Sequence, residues 1–161
     1  MRIVVFSDSH GNFYKLRQAA ERHLDDADLF LHLGDGLNEF ADLQALYPEK
    51  HYLCIQGNCD YGSSAKLALV FECAGQTIFA THGNIYNVKY TLTALKKVAV
   101  HHHASIALYG HSHKNFTGYD NGLYLMNPGS LVRPRDSKPS YGVLDITPAG
   151  VVPHIVEVDP R

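Results

Sequence analysis

The sequence predicts an α/β fold in which two packed β-sheets of mixed strands are flanked by helices within one domain. In residues 1–60, short apolar runs rich in β-branched side chains alternate with segments of helical periodicity, as in a parallel α/β half. Later in the chain, turn signals such as Asp120-Asn121-Gly122 separate pairs of short apolar runs, which is typical of antiparallel hairpins. Polar residues and glycines follow most of the predicted strands, and the carboxyl ends of strands are where such folds bind ligands.

The first half of the chain contains three predicted strands and two predicted helices. Residues 2–7 form an apolar, β-branched run that predicts a buried central strand. Asn12 precedes apolar residues at helical spacing, which predicts a helix over 13–23 with Asn12 as its N-cap. The remaining elements of this half are a strand, a short helix and a strand, at 28–33, 37–46 and 51–56.

The second half is richer in predicted antiparallel pairs. The three predicted hairpins join residues 68–73 to 77–81, 116–119 to 123–126, and 141–146 to 151–158. Between the first two hairpins, apolar residues at helical spacing predict a helix over 91–102. A short strand at 105–109 follows this helix and ends in a glycine and two histidines.

Length, charge and composition exclude several classes of protein. With 161 residues, of which 45% are apolar and 19% charged, the chain is expected to form a single domain over residues 1–161. A net charge of −2 argues against general nucleic-acid binding. The sequence has no apolar run near the roughly 20 residues of a membrane span and no secretory signal pattern, so we expect a cytoplasmic protein that binds no membrane.

Seven candidate metal ligands follow predicted strands, in a chain that contains 11 histidines. They are Asp8, His10, Asp35, Asn58, His82, His111 and His113. Seven nitrogen and oxygen ligands are too many for one catalytic zinc ion, which takes about three protein ligands and a water molecule. They suit two divalent ions roughly 3.5–4 Å apart that share a carboxylate and a hydroxide.

The ligand types suggest how two ions would divide these residues. Asp35 is the natural bridge, because Asp8 already shares its loop with His10. One ion would take Asp8, His10, Asp35 and one of the two histidines His111 and His113; the other would take Asp35, Asn58, His82 and the remaining histidine. Two divalent cations, two carboxylates and one hydroxide leave a net charge of about +1, which suits an anionic substrate such as a phosphate ester.

Five motifs, taken in their order along the chain, resemble the calcineurin-like metallophosphoesterases. They are Asp8-x-His10, Gly34-Asp35, Gly57-Asn58-x-Asp60, His82-Gly83 and Gly110-His111-x-His113. The short chain, the Gly-Asn-Cys-Asp variant and the loop at 127–135 resemble most the small single-domain phosphodiesterase branch. The resemblance implies a four-layer α/β sandwich and hydrolysis by a water molecule activated at a dinuclear centre. It implies that the two metal ions are manganese, with iron, nickel or zinc as alternatives. It also assigns His113 to the first ion and His111 to the second.

The resemblance also implies which residues act in catalysis. They are Asn58, Cys59, Asp60 and His82. Much of the family has a histidine where this chain has Cys59; that histidine is thought to protonate the leaving oxygen and to be oriented by the aspartate matching Asp60. A thiol with an ordinary pKa near 8.5 is a poorer acid for this role. We therefore expect substrates with good leaving groups, such as aryl or nucleotide-type esters.

Three residues are candidates for substrate binding, and more than one function stays open. Asn12 either reaches the substrate or only caps its helix, while Arg133 and Arg135 either bind a phosphate or pair with surface acids. The leading hypothesis is a phosphodiesterase that acts on small phosphodiesters. The alternatives are a phosphomonoesterase with the same centre and a non-catalytic scaffold like the retromer subunit that shares this fold. Small members of the family are often oligomers, so a homo-oligomer is a further expectation.

Overall fold

The structure, a computed structural model, describes residues 1–158 and contains two five-stranded β-sheets and three α-helices in that range. In chain order the elements are β1 (Arg2–Phe6), α1 (Phe13–Glu21), β2 (Leu29–His32), α2 (Leu37–Leu46), β3 (Tyr52–Cys54), β4 (Ala68–Cys73), β5 (Gln76–Thr81), a 3-10 helix (Asn84–Tyr86), α3 (Thr93–His101), β6 (Ile106–Tyr109), β7 (Asn115–Asp120), β8 (Leu123–Pro128), β9 (Ser140–Thr147) and β10 (Gly150–Glu157). No helix in this range is long and apolar enough to cross a membrane.

The first sheet is built around β1, in the strand order β10-β9-β1-β2-β3. β1, β2 and β3 run parallel, and the register places Val4 beside Phe30 and Phe30 beside Tyr52. β9 pairs antiparallel with β1, and the hairpin of β9 and β10 closes this side of the sheet. The parallel half and the last hairpin are therefore confirmed, and the last hairpin returns to the strand with which the chain begins.

The second sheet has the strand order β4-β5-β6-β8-β7. Its three inner strands, β5, β6 and β8, are parallel, and an antiparallel hairpin partner flanks them on each side. The predicted hairpins at the two outer edges are thus present. The sequence pattern did not predict the three parallel inner strands of this sheet. The neighbours β6 and β8 are separated in the chain by β7, which lies at the edge of the sheet and pairs only with β8.

The sheets pack face to face, and the helices cover their outer faces, so the molecule has four layers. Alternate residues of β1 enter different layers: Ile3 and Val5 pack between the sheets, and Val4 and Phe6 pack under α1 and α2. On the other side, α3 buries Leu95 and Ala99 against the second sheet. This arrangement confirms the predicted sandwich of two mixed sheets flanked by helices.

The boundaries of the elements differ from the prediction mainly at the strand ends. The third strand, expected over 51–56, is limited to Tyr52–Cys54, because the chain turns there into the loop that carries Asn58. The 3-10 helix Asn84–Tyr86 was not predicted. It follows Gly83, which has a left-handed backbone with φ of 104°, and it is a single turn too short to have a periodic signal.

The N-cap of α1 gives a stability prediction. The side chain of Asn12 accepts a hydrogen bond from the backbone N–H of Lys15 at 3.0 Å. Because Asn12→Ala removes this acceptor, we expect it to lower the free energy of unfolding by about 1 kcal/mol, whereas Asn12→Asp, which keeps an acceptor, should not. Urea denaturation of both variants measures this. Unchanged stability of Asn12→Ala together with a weaker affinity for substrate would instead assign Asn12 to substrate binding.

Candidate metal centre

The seven candidate ligands lie where the carboxyl ends of five strands meet. They are placed as Asp8 and His10 after β1, Asp35 after β2, Asn58 after β3, His82 after β5, and His111 and His113 after β6. β1, β2 and β3 are parallel in one sheet, and β5 and β6 are parallel in the other. The two sheets therefore bring their ligand-bearing loops to the same edge of the sandwich, as expected for a ligand site in an α/β fold.

A first group of ligands consists of Asp8, His10 and His113. Asp8 Oδ1 lies 3.1 Å from His113 Nε2 and 3.8 Å from His10 Nε2, and the two Nε2 atoms are 3.2 Å apart. His113 Nδ1 lies 2.7 Å from the carbonyl oxygen of Arg133. Since a carbonyl can only accept, Nδ1 carries the proton, and the lone pair of Nε2 in the neutral ring faces Asp8 and His10.

A second group consists of Asp35, His82 and His111, with Asn58 beside it. His82 Nε2 is its centre: it lies 3.4 Å from Asp35 Oδ2, 3.2 Å from Asn58 Oδ1 and 3.2 Å from His111 Nδ1. His82 Nδ1 donates to the carbonyl oxygen of Leu33 at 2.8 Å, which fixes the ring with Nε2 toward the group. The two sequence-based ligand sets thus come together, with His113 in the first group and His111 in the second.

Both groups hold electron-rich atoms against one another, an arrangement that a bound cation stabilises. Asp8 Oδ1 is buried and accepts no hydrogen bond from any group within residues 1–158, although imidazole nitrogens surround it. In the second group, the oxygens of Asp35 and Asn58 both face the Nε2 lone pair of neutral His82. A buried carboxylate oxygen without a partner is costly. The donor set, made of carboxylate, amide and imidazole groups, fits divalent metal ions at both positions.

The two carboxylates of the site and two of its imidazoles change one another's pKa values. Burial opposes the ionised form of Asp8 and Asp35, but nearby imidazoles outweigh it and lower the pKa of both carboxyl groups. Burial likewise opposes protonation of His82, and its contacts with the same two carboxylates outweigh burial and raise its pKa. For His113 the contact with Asp8 is the leading cause of a raised pKa. The two carboxylates therefore favour protonation of both rings.

The other two imidazoles favour the neutral form. Burial lowers the pKa of His10, and burial together with the neighbouring His82 lowers the pKa of His111 to about 4. Both rings therefore keep a free lone pair near pH 7. Neutral imidazole is the form that binds metal ions, so these two rings are ready to act as ligands without losing a proton.

Five of the candidate ligands have a strained backbone. The residues with left-handed φ values at the site are Asp8 (55°), His10 (43°), Asp35 (59°), His111 (63°) and His113 (58°). Such a conformation costs on the order of 1–3 kcal/mol in a residue other than glycine, and it persists only where the surroundings hold it. The ligand loops therefore depend on contacts from the rest of the molecule to keep their shape.

Asp60 supplies several of these contacts. Its carboxylate accepts hydrogen bonds from the backbone N–H groups of Asp35, Gly36, Leu37 and Gly57, at 2.7 to 3.0 Å. It thus ties the loop of Asp35 to the loop of Asn58 and caps the first turn of α2. The role implied by the resemblance, orientation of the side chain at position 59, remains a prediction, and these contacts give Asp60 a structural role beside it.

Sequence reasoning missed a buried polar group behind the first ligand loop. Ser9, His32 and Glu39 are all buried, and Ser9 Oγ contacts both Glu39 Oε1 and His32 Nε2. The sequence predicts that residue 32 lies in a strand, and His32 is the last residue of β2. The prediction does not indicate which groups its side chain contacts. One signal in the sequence could have indicated this group: Glu39 is in the first turn of a short predicted helix that directly follows the loop of Asp35. If such a glutamate is buried, its carboxylate needs hydrogen-bond donors nearby.

A cavity of about 960 Å³ opens beside the ligands. His10, Asp35 and Cys59 line it next to the two groups, and Arg133 and the loop 61–65 line it farther out. Asn12 and Arg135, the other predicted substrate residues, are not among its lining residues. The cavity is far larger than one phosphate group, and its size falls in the range of small-molecule sites.

The chain matches known sequences over most of its length. A model of the calcineurin-like phosphoesterase superfamily domain matches residues 1–149. A probable metallophosphoesterase of Bacillus subtilis is 32% identical over 148 residues, which cover 91% of this chain and 85% of the relative.

Solved structures share the fold. A predicted phosphoesterase of Streptococcus pneumoniae has a TM-score of 0.85 at 26% identity, with 99% of this chain and 92% of that one covered. An archaeal phosphodiesterase has a TM-score of 0.77 at 20% identity, over 97% and 100% of the two chains. A Vps29 mutant of Entamoeba histolytica has a TM-score of 0.76 at 18% identity, over 99% and 100%. The last two likenesses show a common fold and no more.

The buried imidazole of His32 gives a prediction about pH. Burial lowers its pKa from 6.5 to about 4, so the unfolded chain takes up this proton at a higher pH than the folded protein does. The free energy of unfolding should therefore fall as the pH is lowered from 8 to 5, by about 2 kcal/mol from this group, and the loss should level off below pH 4.

Urea denaturation of the metal-free protein at pH 8 and pH 5 measures this contribution. We expect His32→Asn to lack it, while His51→Asn, which removes an exposed histidine, should keep the wild-type dependence on pH. All titrating groups other than His32 and His51 are common to the three proteins and cancel in the comparison. An identical pH dependence in His32→Asn and the wild type would contradict a neutral, buried His32.

Proposed function

Since the chain belongs to the calcineurin-like phosphoesterase superfamily, we propose that it is a metal-dependent phosphodiesterase that hydrolyses small phosphodiesters at a dinuclear centre. The observation that carries this proposal is the pair of adjoining ligand groups, each with electron-rich atoms that face one another. When bound, two divalent cations supply positive charge for the phosphate oxygens and lower the pKa of a water molecule that attacks phosphorus. Manganese is the proposed metal, and iron, nickel and zinc are alternatives with the same donor set.

Asp35 is the proposed bridge between the two positions. Its Oδ2 atom lies 3.4 Å from His82 Nε2 in the second group. It also lies in a cluster with His10 of the first group and Cys59, in which one ligand atom of each residue is within 4.8 Å of the others. Because its side chain faces both groups, Asp35 can contribute to both positions. Asp8 Oδ1 lies nearest His113 of the first group, at 3.1 Å, and is 4.0 Å from His82 Nε2 of the second.

The remaining residues of the chain have distinct proposed roles. Asn58 and His82 would hold the second position, with Asn58 Oδ1 and His82 Nε2 at 3.2 Å from one another. Arg133 is exposed at the cavity and is proposed to bind a phosphate oxygen of the substrate. Arg135 remains a weaker candidate, because only its backbone N–H contacts the site, at the carbonyl oxygen of His113.

The cavity favours a diester over a simple monoester. A diester carries two organic groups, and the space beyond His10 and Asp35 can accept one of them. Its far wall includes the exposed ring of Tyr61, which offers a flat apolar surface. A phosphomonoesterase would leave most of this space without contact. Beyond the shared fold, only Cys59 favours the scaffold alternative, whereas all seven candidate ligands are present and lie close together.

Cys59 limits the substrates that the proposed enzyme can use. Burial, followed by the neighbouring Asp35, raises the pKa of its thiol, so the thiol is neutral at pH 7 and a weak proton donor. Its Sγ atom lies 3.3 Å from Asn58 Nδ2. We therefore propose that turnover is efficient only for esters whose leaving group departs without a proton, such as aryl or nucleotide-type esters.

Metal reconstitution tests the proposed function. The metal-free protein is given manganese, iron, nickel, zinc or magnesium singly and assayed with bis-p-nitrophenyl phosphate and p-nitrophenyl phosphate. We expect manganese to restore turnover of the diester above that of the monoester. Asp35→Ala should abolish metal binding and activity together, because the bridge serves both positions.

A control variant and three possible results decide between the proposed function and its alternatives. Asp25→Ala removes an exposed carboxylate between α1 and β2, before the amino end of β2, whereas the candidate ligands follow the carboxyl ends of strands; this variant should behave as the wild type. No turnover with any metal would favour the scaffold, and faster turnover of the monoester would favour a phosphomonoesterase. Full activity in Asp35→Ala would show that another residue bridges the two positions.

A substitution at position 59 tests the account of leaving groups. Cys59→His introduces a side chain that can donate a proton near neutral pH. We expect a selective gain of about 10²-fold or more for diesters with poor, alkyl leaving groups, the usual range for one general acid. The measurement is kcat for a series of diesters with leaving groups of increasing pKa. An equal change for good and poor leaving groups would contradict this account.

A further inference from the structure

Glu39 is a buried carboxylate that no part of the proposed chemistry uses. It lies in the first turn of α2 and is 5% exposed. A buried carboxylate is retained only where donors satisfy it. Its Oε1 atom accepts two hydrogen bonds, from Ser9 Oγ at 2.7 Å and from the backbone N–H of Gly11 at 2.6 Å. These two donors are the neighbours of His10 on either side, so Glu39 holds the loop at both ends of one candidate ligand.

The position of His10 needs such support. Its φ of 43° is left-handed, as is the φ of Asp8 two residues earlier. A strained loop of this kind relaxes unless fixed contacts oppose the change. Space for the contact comes from Gly36, where an added Cβ would lie 1.9 Å from Ser9 Oγ and 2.7 Å from Glu39 Oε1. The fold has thus left room for Glu39 to reach the loop.

Glu39 is the last acceptor in a chain of hydrogen bonds that runs from Gly34 through His32 and Ser9. The backbone N–H of Gly34 donates to His32 Nδ1 at 3.1 Å, so the ring proton lies on Nε2. His32 Nε2 then donates to Ser9 Oγ at 2.8 Å, and Ser9 Oγ donates to Glu39 Oε1 at 2.7 Å. Each donor has one acceptor, and the three side chains are buried. Such a satisfied network has a single preferred geometry.

We propose that Glu39 is a positioning residue for the metal position made by Asp8, His10 and His113. It acts through the backbone around His10, by hydrogen bonds to Ser9 and Gly11. The proposal rests on the proposed function, in that it takes the two ligand groups to be metal positions. Asp60 does the corresponding work for the loops of Asp35, the proposed bridge, and Asn58, so the two carboxylates support different loops and only Glu39 acts on one position alone.

This division predicts a selective effect. Without Glu39, the loop at His10 loses two hydrogen bonds, whereas the four contacts of Asp60 to the other loops are unchanged. Residues that orient metal ligands from outside typically change metal affinity by about 10- to 100-fold. Glu39→Ala should therefore weaken one manganese position by about that factor and leave the other at its wild-type affinity.

The test is calorimetric titration of metal-free wild type, Glu39→Ala and Glu39→Gln with Mn²⁺. Glutamine keeps a carbonyl oxygen that can accept both hydrogen bonds, so we expect Glu39→Gln to restore most of the lost affinity. Asp42→Asn, on the same helix but exposed, removes an equal charge and should bind both ions as the wild type does. Circular dichroism and thermal melting establish that each variant is folded.

The possible results separate this proposal from the proposed function. Wild-type affinity at both positions in Glu39→Ala, or an equal loss at both, would overturn positioning of one site. An equal loss in Glu39→Gln and Glu39→Ala would show that the negative charge acts, and not the hydrogen bonds, which would also overturn it. If Glu39→Ala does not fold, Ser9→Ala removes one of the two contacts and should weaken the same single position; no effect would overturn the proposal. A wild-type protein that binds fewer than two ions would instead contradict the proposed function.

Discussion

The arrangement of the site depends on electron-rich groups held against one another in the folded chain. Asp8 Oδ1 accepts no hydrogen bond from any group within residues 1–158, and the lone pair of neutral His82 faces the oxygens of Asp35 and Asn58. Left to themselves these groups would move apart or take up protons, and the raised pKa values of His82 and His113 show the second tendency. Cations in both groups would replace this repulsion between lone pairs with attraction. The repulsion is therefore the physical reason for assigning the site to metal binding.

Holding such groups together requires support from outside the site, and two carboxylates supply much of it, Asp60 after β3 and Glu39 in α2. Asp60 fixes the backbone of residues 35–37 and the loop before Asn58, and Glu39 fixes the backbone around His10. From the second sheet, the backbone N–H of His111 donates to Asp8 Oδ2 and links the two ligand loops directly. The loops that carry His10, Asp35 and Asn58 are therefore held by hydrogen bonds that the carboxylates of Glu39 and Asp60 accept.

The sequence predicts most of the fold and the seven candidate ligands that the fold brings close together, because both depend on local signals. The apolar run before Asp8 and the glycine beside Asp35 are visible in a few neighbouring residues. What local signals do not contain is the partner of a side chain across the fold. Nothing near Glu39 in the chain indicates that it meets Ser9, some 30 residues earlier. The assignment of His113 to the first group came from resemblance, since spacing alone treats His111 and His113 alike.

The central claim is that two metal ions bind next to one another and share Asp35. Electron paramagnetic resonance during titration of the metal-free protein with Mn²⁺ tests it most directly, because two manganese ions joined by a bridging ligand couple magnetically. The account predicts that the signal of isolated ions gives way to that of a coupled pair as the second equivalent binds, and that Asp35→Ala never shows the coupled signal. Saturation at one ion per chain, or two ions that remain uncoupled in the wild type, would contradict it.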